Sequence, residues 1–273
     1  MSERSATGDD EDVSAHADLP RGLTLRAFFP NAITAAALCA GLTGIRFAIG
    51  GEFDKAVFAV ILAGILDGID GRVARMLKAQ SRFGAELDSL ADSLSFGVAP
   101  ALILYLWSLK ELPRIGWYAA LIYAICCALR LARYNSRIDT DDQPHKLARF
   151  LTGIPAPVGA GLAFLPIYLW LVTERTEFRE PVLVGIWLVA IAALMISNVA
   201  TLSWASIRPR RTVRLLLIGL VGVLGASLLT DPWLTLIAIS AIYLVMLPLG
   251  IISYAKVKRQ RASRLAPVPV GLS

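Results

Sequence analysis

Four aspartates stand where charge is costly. Asp67 and Asp70 lie at the end of one apolar run, ILAGILDGIDGRVARM, and Asp88 and Asp92 at the start of the next, FGAELDSLADSLSFG. Ionisable groups at membrane depth are rare and mark function more often than structure. On a helix advancing about 100° per residue, Asp67, Asp70, Gly71 and Ala74 share a face roughly 100° wide, and Gly84, Asp88, Asp92 and Ser95 make a second narrow stripe. A short polar connection with Lys78, Gln80, Ser81 and Arg82 joins the two runs, so they are antiparallel neighbours whose acidic faces can meet. Four carboxylates converging in a poorly solvated site cannot all stay ionised unless cations neutralise them. Hard divalent ions, Mg²⁺ or Mn²⁺, suit carboxylate oxygens, and two of them can clamp phosphate oxygens during an in-line displacement. The plainer alternative is a salt-bridge network with Arg72, Arg75 and Arg82, but ion pairs require neither two acidic stripes nor the small residues beside them. Gly71, Ala74 and Gly84 leave the backbone bare next to the acids, where a flat base or a pyrophosphate can approach. Arg75 and the Ser81 hydroxyl can meet phosphate oxygens.

The elements that must hold these groups are membrane helices. Of 273 residues, 56% are hydrophobic and 18% charged, and the mean hydropathy is +0.62, too apolar for a soluble domain. Apolar segments near 30–50, 53–77, 86–108, 115–133, 150–173, 181–204, 213–230 and 232–255 have the length needed to cross about 30 Å of hydrocarbon. The expectation is an all-α, polytopic membrane protein of about eight transmembrane helices. Placing the N-terminus inside puts 21 of the 27 Lys and Arg on cytosolic segments, with five outside and Arg46 near the outer end of the first helix, so both termini are read as cytosolic. The three cysteines, Cys39, Cys126 and Cys127, sit in apolar blocks, and His16 and His145 in polar ones, which leaves neither a disulfide framework nor a Cys/His zinc site. The net charge of +6 follows from membrane topology rather than from nucleic-acid binding. Residues 1–20 read as a disordered acidic tail, 21–256 as the transmembrane catalytic domain, and 257–273 as a basic tail suited to anionic lipid.

The acidic pattern reads Asp67-x-x-Asp70-Gly71-x-x-Ala74-Arg75, eight residues, then Gly84-x-x-x-Asp88-x-x-x-Asp92. It resembles the signature of the CDP-alcohol phosphotransferase family at every fixed position. The resemblance implies transfer of a substituted phosphate from a CDP-linked donor to an alcohol, with release of CMP. Carried over, Asp67, Asp70, Asp88 and Asp92 would hold two divalent cations, Mg²⁺ or Mn²⁺, and Asp92 would also take the proton from the attacking hydroxyl. Gly71, Ala74, Arg75, Ser81 and Gly84 would line the CDP site. Pro30-Asn31-x-x-Thr34 also resembles the family, with Asn31 and Thr34 near the nucleotide; equally, Pro30 could start a helix that Asn31 caps.

Ser93-Leu-Ser-Phe-Gly-Val-Ala-Pro100, Arg130-Leu-Ala-Arg-Tyr-Asn135 and Gly153-Ile-Pro-Ala-Pro157 resemble the phosphatidylserine synthase branch, so the likeness runs over about 30–161. It implies CDP-diacylglycerol and L-serine as substrates, at the cytosolic face of a bacterial inner membrane, among membrane lipids and with no nucleic acid. A homodimer meeting through the third and fourth spans is expected by the same resemblance. Arg130, Arg133 and Asn135 are the acceptor-site candidates, since a guanidinium pairs well with a carboxylate; the two arginines are equally suited to be positive-inside anchors. Glycerol 3-phosphate or inositol phosphate is the alternative acceptor. An ion-coupled transporter, the competing class, would scatter its acids at the bilayer midplane on broken helices, whereas here they cluster at the ends of two adjacent spans.

Overall fold

Long apolar runs fold as helices in a membrane because a helix satisfies every backbone group within itself. The computed structural model describes residues 25–138, 150–197, 200–202 and 211–265; the acidic tail over 1–20 lies outside them. Helix α1 (Leu25–Ile49) and helix α2 (Phe53–Met76) form an antiparallel pair, turned at Gly51, whose φ is 79°. Helix α3 (Arg82–Asp92) passes through a π-helical stretch, Ser93–Val98, into α4 (Ala99–Trp107), and α5 spans Ile115–Ile138. Helices α6 (Ala156–Ala163), α7 (Leu165–Thr173) and α8 (Pro181–Ile196) follow, then α9 (Arg211–Thr230) and α10 (Pro232–Leu265). Each of the eight apolar segments therefore contains helix. Phe28–Ile49, Arg82–Trp107, Ile115–Ser136 and Ala156–Thr173 are long and apolar enough to cross a membrane. Phe58, Leu62, Ile65 and Ile69 on α2, and Ile122, Ile125 and Leu129 on α5, are exposed, as befits helices facing hydrocarbon. This is a helical membrane protein.

Two expected segments end differently. The segments over 150–173 and 181–204 are not helical throughout: strand β1 (Phe150–Thr152) pairs antiparallel with β2 (Ala200–Leu202), Phe150 facing Leu202. Gly153 stops the first strand in the left-handed region at φ 79°, and a Cβ there would lie 2.5 Å from the Met195 carbonyl oxygen. Helix α6 then opens with Pro157 in its first turn, where a missing N–H breaks no hydrogen bond. Helix α10 also runs past the expected boundary at 256, to Leu265.

The core lies where α4 to α8 converge. Ile103, Leu104, Trp107, Tyr123, Ile167, Tyr168 and Leu188 are fully buried there. Close approach of α1 and α2 depends on Gly44, where a Cβ would meet the Ala56 carbonyl oxygen at 2.9 Å. Prolines inside this bundle leave carbonyls that the helix itself cannot serve. Pro166 removes the N–H that Leu162 would receive, and the Trp187 indole of α8 donates to the Leu162 carbonyl instead, at 2.9 Å. Pro100 does the same to Phe96, whose carbonyl accepts from the Tyr123 hydroxyl of α5 at 3.1 Å. Ser95 leaves the acidic stripe through the intervening π turn: its hydroxyl faces α1, 3.4 Å from the Ala37 carbonyl, and a Cβ on Gly41 would come within 2.5 Å of it.

Replacing Gly153 by Ala should cost about 1–3 kcal/mol, because both the backbone angle and the space beside Met195 exclude a methyl group. A lowered unfolding midpoint in detergent measures it, and an unchanged midpoint would contradict the strand-to-helix geometry.

Candidate functional site

Helices α2 and α3 are joined by five residues, Leu77 to Ser81, whose geometry brings their acids together. The end of α2 is closed by hydrogen bonds from the Leu77 N–H to Val73 (2.9 Å) and from the Ala79 N–H to Ala74 (3.0 Å), and Lys78 adopts a left-handed φ of 50°. Ser81 then caps α3, its hydroxyl accepting from the Gly84 N–H at 3.0 Å. The result is an antiparallel pair with carboxylates facing across it.

Oxygens of Asp67, Asp70 and Asp88 lie within 4.8 Å of one another, close enough for one ion to engage all three. Asp92 stands close enough to Asp67 for the two carboxyl groups to interact. This all-oxygen donor set fits a hard divalent cation, which takes carboxylate ligands at about 2.0–2.6 Å. Asp70 is 4% exposed and is fixed by Thr34 of α1, whose hydroxyl donates to Oδ2 at 2.6 Å and also approaches the Pro30 carbonyl at 3.1 Å. Thr34 thus orients an acid rather than standing apart from it.

The small residues differ in what surrounds them. No heavy atom from elsewhere in the chain comes within 4 Å of where a Cβ on Gly71 would sit, so the α2 surface beside the acids is open. On Gly84 a Cβ would stand 2.9 Å from Asn31 Oδ1 and 3.2 Å from Ser81 Oγ. Asn31 is not a helix cap, because α1 begins at Leu25, upstream of Pro30. Its Nδ2 is buried without a hydrogen-bond partner among the described residues, which leaves a donor beside Gly84. Ala74 is half-buried, and Arg75 is exposed, its Nε donating to the Gly71 carbonyl at 2.9 Å.

Helix α5 supplies the third wall. Arg130 is half-buried within electrostatic range of Asp92, and its Nε has no hydrogen-bond partner among the described residues. Arg133 and Asn135 have other engagements: Arg133 donates to the Ile196 carbonyl at the end of α8 at 2.8 Å, and Asn135 Nδ2 donates to Ser89 Oγ on α3 at 2.8 Å. The predicted acceptor trio therefore divides into one arginine beside the acids and two residues that tie α5 to its neighbours. Sequence reasoning missed Ser89 and Tyr123 as the α3 and α5 partners in this packing. Tyr123 precedes Arg130 by two helical turns, so their shared face is the available signal.

Removing the Thr34 hydroxyl tests this geometry. Thr34→Val should weaken Mn²⁺ binding about 10- to 100-fold, as loss of a group orienting a metal ligand typically does. Titration followed by electron paramagnetic resonance reads it, and an unaltered affinity would separate Asp70 from the metal centre.

Residues 27–201 match the CDP-alcohol phosphatidyltransferase family, and residues 213–248 match CDP-alcohol phosphatidyltransferase 2. The CDP-diacylglycerol–serine O-phosphatidyltransferase of Mycobacterium tuberculosis is 36% identical over 231 residues, covering 85% of this chain and 80% of that protein. The enzyme of the same name from Helicobacter pylori is 39% identical over 171 residues, 63% of this chain and 70% of that protein. That from Bacillus subtilis is 34% identical over 172 residues, 63% and 88% respectively. A matched region that takes in α1 to α8 and all four aspartates places the chain in the CDP-alcohol phosphatidyltransferase family.

Proposed function

We propose that this protein transfers the phosphatidyl group of CDP-diacylglycerol to the hydroxyl of L-serine, giving phosphatidylserine and CMP. The observation that carries the reading is the convergence of Asp67, Asp70 and Asp88, with Asp92 against Asp67, in a chain whose relatives bear that enzyme's name. Asp67, Asp70, Asp88 and Asp92 would hold two divalent cations, Mg²⁺ or Mn²⁺. Those ions supply neutralisation of the donor pyrophosphate and of the charge that builds on it during transfer.

The chain's own groups do the rest. The open surface at Gly71, flanked by Ala74 and by Gly84 with Asn31 packed against it, receives the nucleotide, the Asn31 amide serving as a donor toward it. Arg75 and the Ser81 hydroxyl face phosphate oxygens, and Thr34 keeps Asp70 in place. Asp92 takes the proton of the serine hydroxyl, the serine oxygen bonds to the lipid-bearing phosphorus, and the P–O bond to CMP breaks with its electron pair leaving on CMP. General-base assistance of this kind is worth about 100-fold or more. Arg130, beside Asp92, receives the serine carboxylate, while Arg133 and Asn135 hold the pocket wall through Ile196 and Ser89.

The wider setting follows from the helices. The eight helical segments cross a bacterial inner membrane eight times, with both termini and the acids on the cytosolic side. Residues 21–256 form the catalytic unit around a core of about 30–161. A homodimer meets through the third and fourth spans, where Tyr118, Ile122, Ile125 and Leu129 make an exposed stripe on α5.

Purified protein given CDP-diacylglycerol and Mn²⁺ should release CMP with serine and not with glycerol 3-phosphate or inositol 3-phosphate; release with either of the latter alone would overturn the acceptor assignment. Chelation by EDTA should abolish turnover, and Mg²⁺ or Mn²⁺ should restore it. Asp92→Asn should lower kcat about 100-fold or more while the KM for CDP-diacylglycerol changes little, whereas near-normal kcat removes Asp92 as the base.

A further inference from the structure

The run Ser93–Pro100 carries no group that the transfer chemistry uses, yet it follows Asp92 directly. Three observations explain it. The helix widens there into π geometry, with the Ala99 N–H donating to the Leu94 carbonyl five residues back. Pro100 has no N–H to offer the Phe96 carbonyl, which would otherwise favour regular α-helix. The buried Tyr123 hydroxyl takes that carbonyl instead, at 3.1 Å.

A π turn accommodates one extra residue, and each residue advances a helix by about 100°. Helix α4 is anchored, since Ala99, Ile103, Leu104 and Trp107 are all 0% exposed. Were the stretch to tighten into α-helix, the acid-bearing α3 would have to rotate by roughly 100° against this anchor, turning Asp88 and Asp92 away from Asp67. The same ridge of α5 continues the contact. Cys127, one turn after Tyr123, sits where a Cβ on Gly97 would be only 3.2 Å away, and Arg130 follows within electrostatic range of Asp92.

We infer that Tyr123 is a positioning residue for Asp88 and Asp92: by occupying the carbonyl that Pro100 leaves free, it holds the π turn that aims both acids at α2. The inference rests on the metal-assisted reading above. Trp187 makes a comparable bond at Leu162 of α6, so the device recurs in this bundle, and Tyr123 differs in serving the helix that carries Asp88 and Asp92.

The test compares Tyr123→Phe, which keeps the ring, with the double variant Tyr123→Phe/Pro100→Ala, which returns an N–H to position 100. Mn²⁺ affinity, measured by calorimetry, is read beside the unfolding midpoint and the kcat for CMP release. Tyr123→Phe should bind Mn²⁺ about tenfold more weakly and lose about tenfold in kcat, with the KM for serine little changed. The double variant should regain the wild-type midpoint, because Phe96 again has a partner, but neither Mn²⁺ affinity nor kcat. If Tyr123→Phe does not fold, the double variant alone decides. Wild-type Mn²⁺ affinity in Tyr123→Phe, or recovery of affinity together with the midpoint in the double variant, would overturn the inference. Because Mn²⁺ binding is read without substrate, an error in the acceptor assignment leaves this result intact.

Discussion

Like charges repel most where water is scarce, and this molecule brings four carboxylates together between helices that face lipid. The cost of that arrangement governs the surrounding design. The connection from α2 to α3 is short and fixed at both ends, by the left-handed Lys78 and by the Ser81 cap, so neither helix can slide to relieve the repulsion. Thr34 reaches across from α1 to give Asp70 a hydrogen bond, and Arg130 approaches Asp92 from α5. Three helices thus hold in place groups that would separate if left alone, and a divalent cation is the natural counterweight to what remains.

A second constraint comes from the solvent. Hydrocarbon offers no hydrogen bonds, so each backbone group that a proline frees must find a partner inside the protein. At Leu162 and Phe96 the partner is an aromatic side chain from a neighbouring helix, an indole in one case and a phenol in the other. Such bonds let a membrane helix depart from regular geometry while remaining buried. They place irregularity where the bundle can use it, beside Asp92 in one helix and near the start of α7 in another.

Much of the site was legible in the residues because it depends on short-range periodicity. The spacing of Asp67 and Asp70, and of Asp88 and Asp92, puts each pair on one helical face whatever the rest of the chain does, and a short polar turn leaves only an antiparallel arrangement. Asn31 and Thr34 were legible through the family pattern, although Asn31 proved to stand inside a helix because α1 starts upstream of Pro30. Three things were not. The β1–β2 ladder joins positions about 50 residues apart, and an apolar run such as Phe150–Thr152 looks the same in strand and helix. The π turn broke the regular phase that had grouped Ser95 with the acids. Arg133 and Asn135 lie on the same stretch as Arg130, but their partners, Ile196 and Ser89, come from helices whose packing no local pattern reveals.

The turn at Leu77–Ser81 has a further consequence, for biogenesis. All four aspartates fall within 26 consecutive residues of one hairpin, so bringing the two pairs into one neighbourhood closes only a short loop. As the nascent polypeptide enters the bilayer, this hairpin can bring α2 and α3 together, with α1 already alongside, and the acids take their final aim once α5 has been added. The later helices then meet a centre already begun, to which they add enclosure and an entrance for the acceptor.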